Sequence, residues 1–201
     1  MISLFGNVKC DFMLYLIGFV LFSCVQSNKQ RVIQVVESMM GRTIVMPQDM
    51  YLYNQAKDSV MCLNTSKEHI FVYFSSDYCP ECNVWKIQEW RDFESQLDEI
   101  QIVYIISSKK EAVHDIKEEL DMIETSNLLI YIDLNGHFTK KNSFIYSNPV
   151  CHVFWTDSDN RIKLVGDPFY SPRMHDMYMN YYDSLSRRLE REKQRRVGGE
   201  R

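Results

Sequence analysis

Phe71-Val-Tyr-Phe-Ser-Ser-Asp-Tyr-Cys79-Pro-Glu-Cys82-Asn-Val-Trp-Lys-Ile-Gln-Glu-Trp90 is the stretch on which the reading of the fold turns. The run from Ile70 to Phe74 is apolar and aromatic without a break, which predicts a buried strand. Ser75-Ser76-Asp77 can turn the chain and cap a helix. Val84, Ile87, Trp90, Phe93 and Leu97 then recur at three- and four-residue steps, the apolar stripe of a helix. Cys79 and Cys82 fall where strand passes into helix. Pro80 is tolerated between them because the first helical turn has no internal partner for that N–H.

A thiol at a helix N-terminus faces the positive end of the dipole and unpaired N–H groups, which stabilise its thiolate. Residues three apart share a helix face, so Cys82 can reach Cys79 and close a small disulfide ring. Cys79, at the exposed capping position, is expected to attack, and Cys82, one turn in, to resolve. Two other readings stand beside this one. The pair could be half of a zinc site, with Cys151 and His152 as the candidates to complete four ligands, since there is no second CxxC. It could also be two structural cysteines with no joint role.

The segment resembles the active-site segment of the thioredoxin superfamily, with the aromatic Tyr78 before the first cysteine and Pro80 in the middle pair, as in glutaredoxins. The resemblance implies an α/β thioredoxin fold, a central mixed sheet flanked by helices. It implies thiol–disulfide exchange with exported protein partners and an upstream redox partner, with no cofactor and no metal. It also implies a substrate groove made by Tyr78, Pro80, Asn148 and Pro149, with Pro149 as a cis-proline opening the strand that faces the site. A trans proline at a strand edge is the alternative. The chain departs from the family in two places. The buried acid expected six residues before the first cysteine is Tyr73, and the proline five past the second is Ile87. Deprotonation of Cys82 must then use Glu81, Glu89 or water. A peroxiredoxin-like site would want a proline where Val72 stands, although Ser76 supplies its hydroxyl.

At the N-terminus, Lys9 precedes the apolar run Phe12 to Phe22, which is short for a bilayer span and suits a signal-peptide core. Leu21-Phe22-Ser23-Cys24 resembles the bacterial lipobox, implying lipidation of Cys24 and a lipid anchor on the periplasmic side of a bacterial membrane. An ordinary secretory signal or a short membrane anchor is the alternative, and each reading exports the remainder. The domains read as a signal over residues 1–23, a polar tether over 24–40, a thioredoxin-like domain over 41–190 and a basic tail over 191–201.

About 178 residues remain after the signal, enough for one domain with a sizeable core, and 45% of the chain is apolar. A net charge of −4 without a large basic cluster outside the tail argues against nucleic acid. Past the signal and Cys24, the remaining cysteines are Cys62, Cys79, Cys82 and Cys151, too few for a disulfide scaffold. The five histidines are scattered, and there is no phosphate-cradling glycine loop, nucleophile elbow or repeat.

Along the chain, Gly41 to Pro47 and Met50 to Tyr53 predict an N-terminal hairpin. Ile100 to Ile106 and Asn127 to Asp133 predict parallel core strands, with a helix over 110–124 between them. This inserted helix–strand unit resembles the branch that includes peroxiredoxins and cytochrome-maturation thioredoxins. Pro149 to Trp155 and Arg161 to Val165 predict a hairpin around the turn Asp157 to Asn160. Ser171-Pro172 opens a last helix whose inner face is read as Met174, Met177, Tyr181, Leu185 and Leu189. From Arg187 a basic, solvated and fraying end is expected. A binding or structural lipoprotein that keeps the fold around an inert disulfide is the competing function class.

Overall fold

The structure, a computed structural model, describes residues 29–53, 63–75, 85–123, 125, 128–145 and 151–198. The expectations for Cys24, Cys62, Tyr78, Cys79, Pro80, Cys82, Asn148 and Pro149 lie outside the described residues. Residues 1–38 and 39–201 are separate compact units. In the first, the described residues 29–38 are helical, and Val32, Val35 and Val36 are half-buried at helical spacing. The polar segment read as a tether is therefore helix there: the three valines form one stripe despite their modest helix propensity.

The second unit is built on one six-stranded mixed sheet. Its strands are β1 (Tyr51–Tyr53), β2 (Glu68–Phe74), β3 (Ile100–Ser107), β4 (Leu129–Asp133), β5 (Val153–Thr156) and β6 (Ile162–Val165), in the order β1-β4-β3-β2-β5-β6. The helices are α1 (Lys86–Glu94), α2 (Val113–Met122), α3 (His137–Lys141) and α4 (Pro172–Gly198). β2 is central, parallel to β3 and antiparallel to β5, while β4 extends the parallel half and β6 the antiparallel one.

β2 has no polar face because both of its faces are covered, as expected for a central strand in a parallel sheet. Ile70, Val72 and Phe74 join the core that also holds Ile87, Trp90 and Phe93 of α1 and Ile116 and Leu120 of α2. On the other face Phe71 stacks on Phe154, with ring centroids 5.3 Å apart, and Tyr73 lies against Phe138 of α3 at 5.7 Å. The register sets Ile70 opposite Ile102 and Val72 opposite Tyr104. A slip of one residue would exchange the two faces along the whole strand.

The predicted N-terminal hairpin does not form. Thr43 bridges Arg161 beside β6, whereas β1 pairs with β4 at the opposite edge of the sheet. Between them, the buried Asn142 side chain accepts from Val45 N–H at 2.8 Å and donates to Val45 C=O at 2.9 Å. One amide thus stands in for a neighbouring strand, and the segment crosses the sheet without a hairpin partner. Asn135-Gly136 turns the chain as expected, with Gly136 at φ 62°, but the turn leads into α3, which was too short for a periodicity to show.

α4 begins as read, with Ser171 Oγ accepting from Met174 N–H at 3.2 Å. Its inner face needs one correction: Met177 is 43% exposed, while Tyr178 is fully buried and donates to Gly166 C=O at 2.7 Å. A tyrosine whose hydroxyl reaches a carbonyl can be buried completely, and that partner lies twelve residues away. The helix continues past Arg187 to Gly198, and residues 191–196 are exposed, as the solvated end requires.

Candidate functional site

β2 ends at Phe74, Ser75 after it is buried, and α1 starts at Lys86. Residues 76–84, which include both cysteines of the CPEC motif, join those two points in sequence. The described surroundings are the C-terminal ends of β2, β3 and β4 and the approach to β5.

Tyr73 is central to them. Its hydroxyl hydrogen-bonds with the side chains of Ser107, Thr139 and Ser75, and burial, reinforced by the nearby Asp133 charge, pushes its pKa up. It stays a neutral hydroxyl and cannot act as the base expected of a buried acid at that position. His152, also buried, presents its ring edge to Tyr73 at 5.1 Å, and its carbonyl accepts from Tyr73 N–H at 2.8 Å. Asp133 is buried too, but its oxygens accept from the N–H groups of His137 and Phe138, each at 2.9 Å, so it caps α3. These hydroxyls, His152 and Asp133 were not read from the sequence as one group. They come from four elements and from the connections at Ser75 and His152, and no spacing joins them.

Of the two candidate proton acceptors, Glu89 is exposed in the first turn of α1, and Glu81 lies outside the described residues. Cys151 is fully buried and its thiol is raised by that burial, the environment of an inert cysteine. Among the described residues, no three His, Cys, Asp or Glu side chains are grouped as a metal set.

A second acid on α1 escaped the sequence reading. Glu94, the last residue of the helix, is half-buried against β3, and burial pushes its carboxyl from 4.5 to about 7, with the Ile102 backbone and Arg91 pulling the other way. The Tyr104 hydroxyl, which senses the Glu94 charge, has no hydrogen-bond partner among the described residues. The folded state holds the Glu94 proton more tightly than the unfolded state. This stabilisation is complete below pH 4.5 and is lost as the pH rises towards 7. Allowing for partial exposure, the loss is about 2 kcal/mol. Glu94→Gln should therefore be more stable than wild type above neutrality, with a flatter pH dependence of the urea midpoint. Parallel curves for the two proteins would contradict this.

The opposite end of the sheet holds an open groove of about 680 Å³ around Glu68, Tyr181 and Arg188. Glu68, only 6% exposed, accepts from Trp155 Nε1 at 3.0 Å and pairs with Arg188 at 2.6 Å. Trp155, Arg188 and the Tyr181 hydroxyl thus tie its carboxylate into the fold.

A parallel β2–α1–β3 unit, an α2–β4 extension and an antiparallel β5–β6 pair leading into α4 make this a thioredoxin-like fold. No family model and no curated protein matches the chain. Among solved structures it is similar to an uncharacterized thioredoxin-like protein from Porphyromonas gingivalis, at 17% identity over 72% of this chain and 94% of that one, TM-score 0.46. It is also similar to the thioredoxin domain of a thiol-disulfide oxidoreductase from Bacteroides vulgatus, at 11% identity over 71% and 97% of the two chains, TM-score 0.46. StoA from Bacillus subtilis is 18% identical over 51% of this chain and 74% of its own, TM-score 0.37.

Proposed function

We propose that the chain is an exported thiol–disulfide oxidoreductase that exchanges disulfides with partner proteins through Cys79 and Cys82. The observation that carries this reading is the CPEC motif in the connection between the central strand β2 and α1. In the reducing direction the Cys79 thiolate attacks one sulfur of a partner disulfide, and the other sulfur leaves as a thiolate and takes up a proton. Cys82, deprotonated, then attacks the Cys79 sulfur and releases the second partner thiol. Two electrons pass to the partner, and Cys79 and Cys82 are left joined as a disulfide. The reverse sequence oxidises a partner dithiol. With Tyr73 held neutral, the Cys82 proton goes to water, Glu81 or Glu89. Tyr78, Pro80, Asn148 and Pro149 are assigned to the groove that receives the partner chain.

The test is equilibration of the CPEC pair against a glutathione redox series, together with reduction of insulin disulfides. A defined two-electron potential with turnover supports exchange. A pair that equilibrates with neither leaves a binding protein with an inert disulfide.

We assign the lipid anchor to Cys24, on the periplasmic side of a bacterial membrane, because an apolar run ends directly at Ser23-Cys24. Metabolic labelling with a fatty acid should mark wild type and spare Cys24→Ala. Each buried methylene adds about 0.8 kcal/mol to membrane affinity, so the labelled chain should stay with membranes through a salt wash. Equal labelling of both proteins would remove the anchor from this position.

A further inference from the structure

The C-terminal part of α4 forms a basic arm of which the fold uses only one side, through Arg188, Leu189 and Lys193, and which the proposed exchange chemistry does not use. From Arg187 to Arg196 six of ten residues are Arg or Lys and two are Glu, a net +4 on a chain whose total is −4. The rest of the chain therefore carries −8. The arm lies at one end of the sheet. Arg188 pairs with Glu68 at the start of β2, and Lys193 pairs with Glu99, just before β3, at 2.8 Å. Both contacts are at the N-terminal ends of the parallel strands, opposite the end from which the CPEC segment continues. Residues 191–196 are all exposed.

The ion pairs of this part of α4 involve Arg188 and Lys193. Arg187, Arg191 and Arg195, all exposed, stand at successive i, i+4 positions, one stripe along the helix with Cα atoms about 6 Å apart along the axis. Glu190 and Glu192 flank that stripe at i, i+3 from Arg187 and Arg195, and Arg187 Nε donates to Asp183 C=O at 3.1 Å, but no acid stands on the stripe between the three arginines. Like charges at i, i+4 repel, so the stripe is disfavoured in the free helix and favoured beside an anionic surface. Five of the six basic residues are arginine, whose planar fork suits phosphate oxygens. From Asp183 to Gly198 there is no aromatic side chain to stack on a base, and the acidic body repels a polyanion that would wrap it.

We propose that this arm docks on an anionic phospholipid bilayer through Arg187, Arg191 and Arg195. The acidic body is pushed away from the same surface while the arm is drawn to it. The molecule therefore stands on the Glu68 end of its sheet, and the C-terminal end of β2 faces away from the lipid. The N-terminal apolar run read from the sequence would bring the domain to such a surface, but the arm's contact is separate from it.

The test uses the full chain reconstituted into vesicles of phosphatidylcholine, with or without phosphatidylglycerol, and limited trypsin digestion read by mass spectrometry. Each basic residue near an anionic surface gains about fivefold in partition, so the three arginines gain on the order of 100-fold. Cleavage at Arg188, Lys193 and Arg196 should slow by up to that factor with phosphatidylglycerol only, and recover in high salt. Cleavage at Lys109 and Lys110, exposed at the C-terminal end of β3, should be the same in both vesicles. The triple variant Arg187→Gln, Arg191→Gln, Arg195→Gln changes only exposed positions to another good helix former, and should lose the protection. Equal cleavage of wild type in both vesicles would overturn the proposal, as would protection that survives the triple substitution. Equal protection by a soluble acidic protein would assign the arm to a protein partner and overturn the lipid contact.

Discussion

Cys79→Ser is expected to bring insulin-disulfide reduction down to background, whereas Cys82→Ser still attacks and accumulates mixed disulfides with its partners. The asymmetry follows from position. A serine hydroxyl stays protonated and cannot displace a disulfide sulfur, so without Cys79 the first bond does not form. Without Cys82 the first bond forms and nothing resolves it. Non-reducing gels of cells carrying each variant provide the measurement: Cys82→Ser should show reducible high-mass adducts that are absent from Cys79→Ser. Adducts on Cys79→Ser instead would exchange the two roles. Loss of both adducts and turnover from wild type would leave the fold without exchange chemistry.

Trp155→Ala should destabilise the protein by about 4 kcal/mol, the upper part of the range for truncating a large buried side chain. Trp155 is fully buried on β5, packs edge-on against Tyr181 at 4.9 Å and meets Tyr178 at 5.7 Å. It also donates to Glu68 at 3.0 Å. Truncation opens a cavity and takes one donor from a buried carboxylate, leaving Arg188 and the Tyr181 hydroxyl to hold it. Trp155→Phe separates the two effects. It keeps most of the packing and should cost about 1.5–3 kcal/mol, the usual value of a hydrogen bond to a charged group. Against a total stability of 5–15 kcal/mol for a domain of this kind, the alanine variant should show a large fall in urea midpoint. A loss below 2 kcal/mol in Trp155→Ala, or equal losses in both variants, would show that the Glu68 bond and the cavity are not the main terms.

Much of the architecture was legible because it is written in local periodicity. The unbroken apolar run of β2, the three- and four-residue stripe of α1 and the turn at Asp157 to Asn160 each need only a dozen neighbouring residues to be seen. The alternation of strand and helix then makes β2, β3 and β4 a parallel set with right-handed crossovers. The CPEC motif is likewise a local signal, and so is the Ser171-Pro172 start of α4.

What only the tertiary structure decided are the pairings between distant residues. Asn142 serves Val45 across 97 residues, Trp155 reaches Glu68 across 87, and Arg188 reaches Glu68 across 120. The first turned an expected hairpin into a crossing segment, and the other two closed off a buried carboxylate. Glu94 belongs with them. As a sequence letter it is an ordinary helix-ending acid, and its raised pKa comes from β3 packing over it. Sequence spacing carries the direction in which a side chain leaves its own strand or helix. The partner that side chain meets, and the water it loses there, depend on how separate elements are brought together, so burial, pKa and polar satisfaction are properties of the assembled sheet.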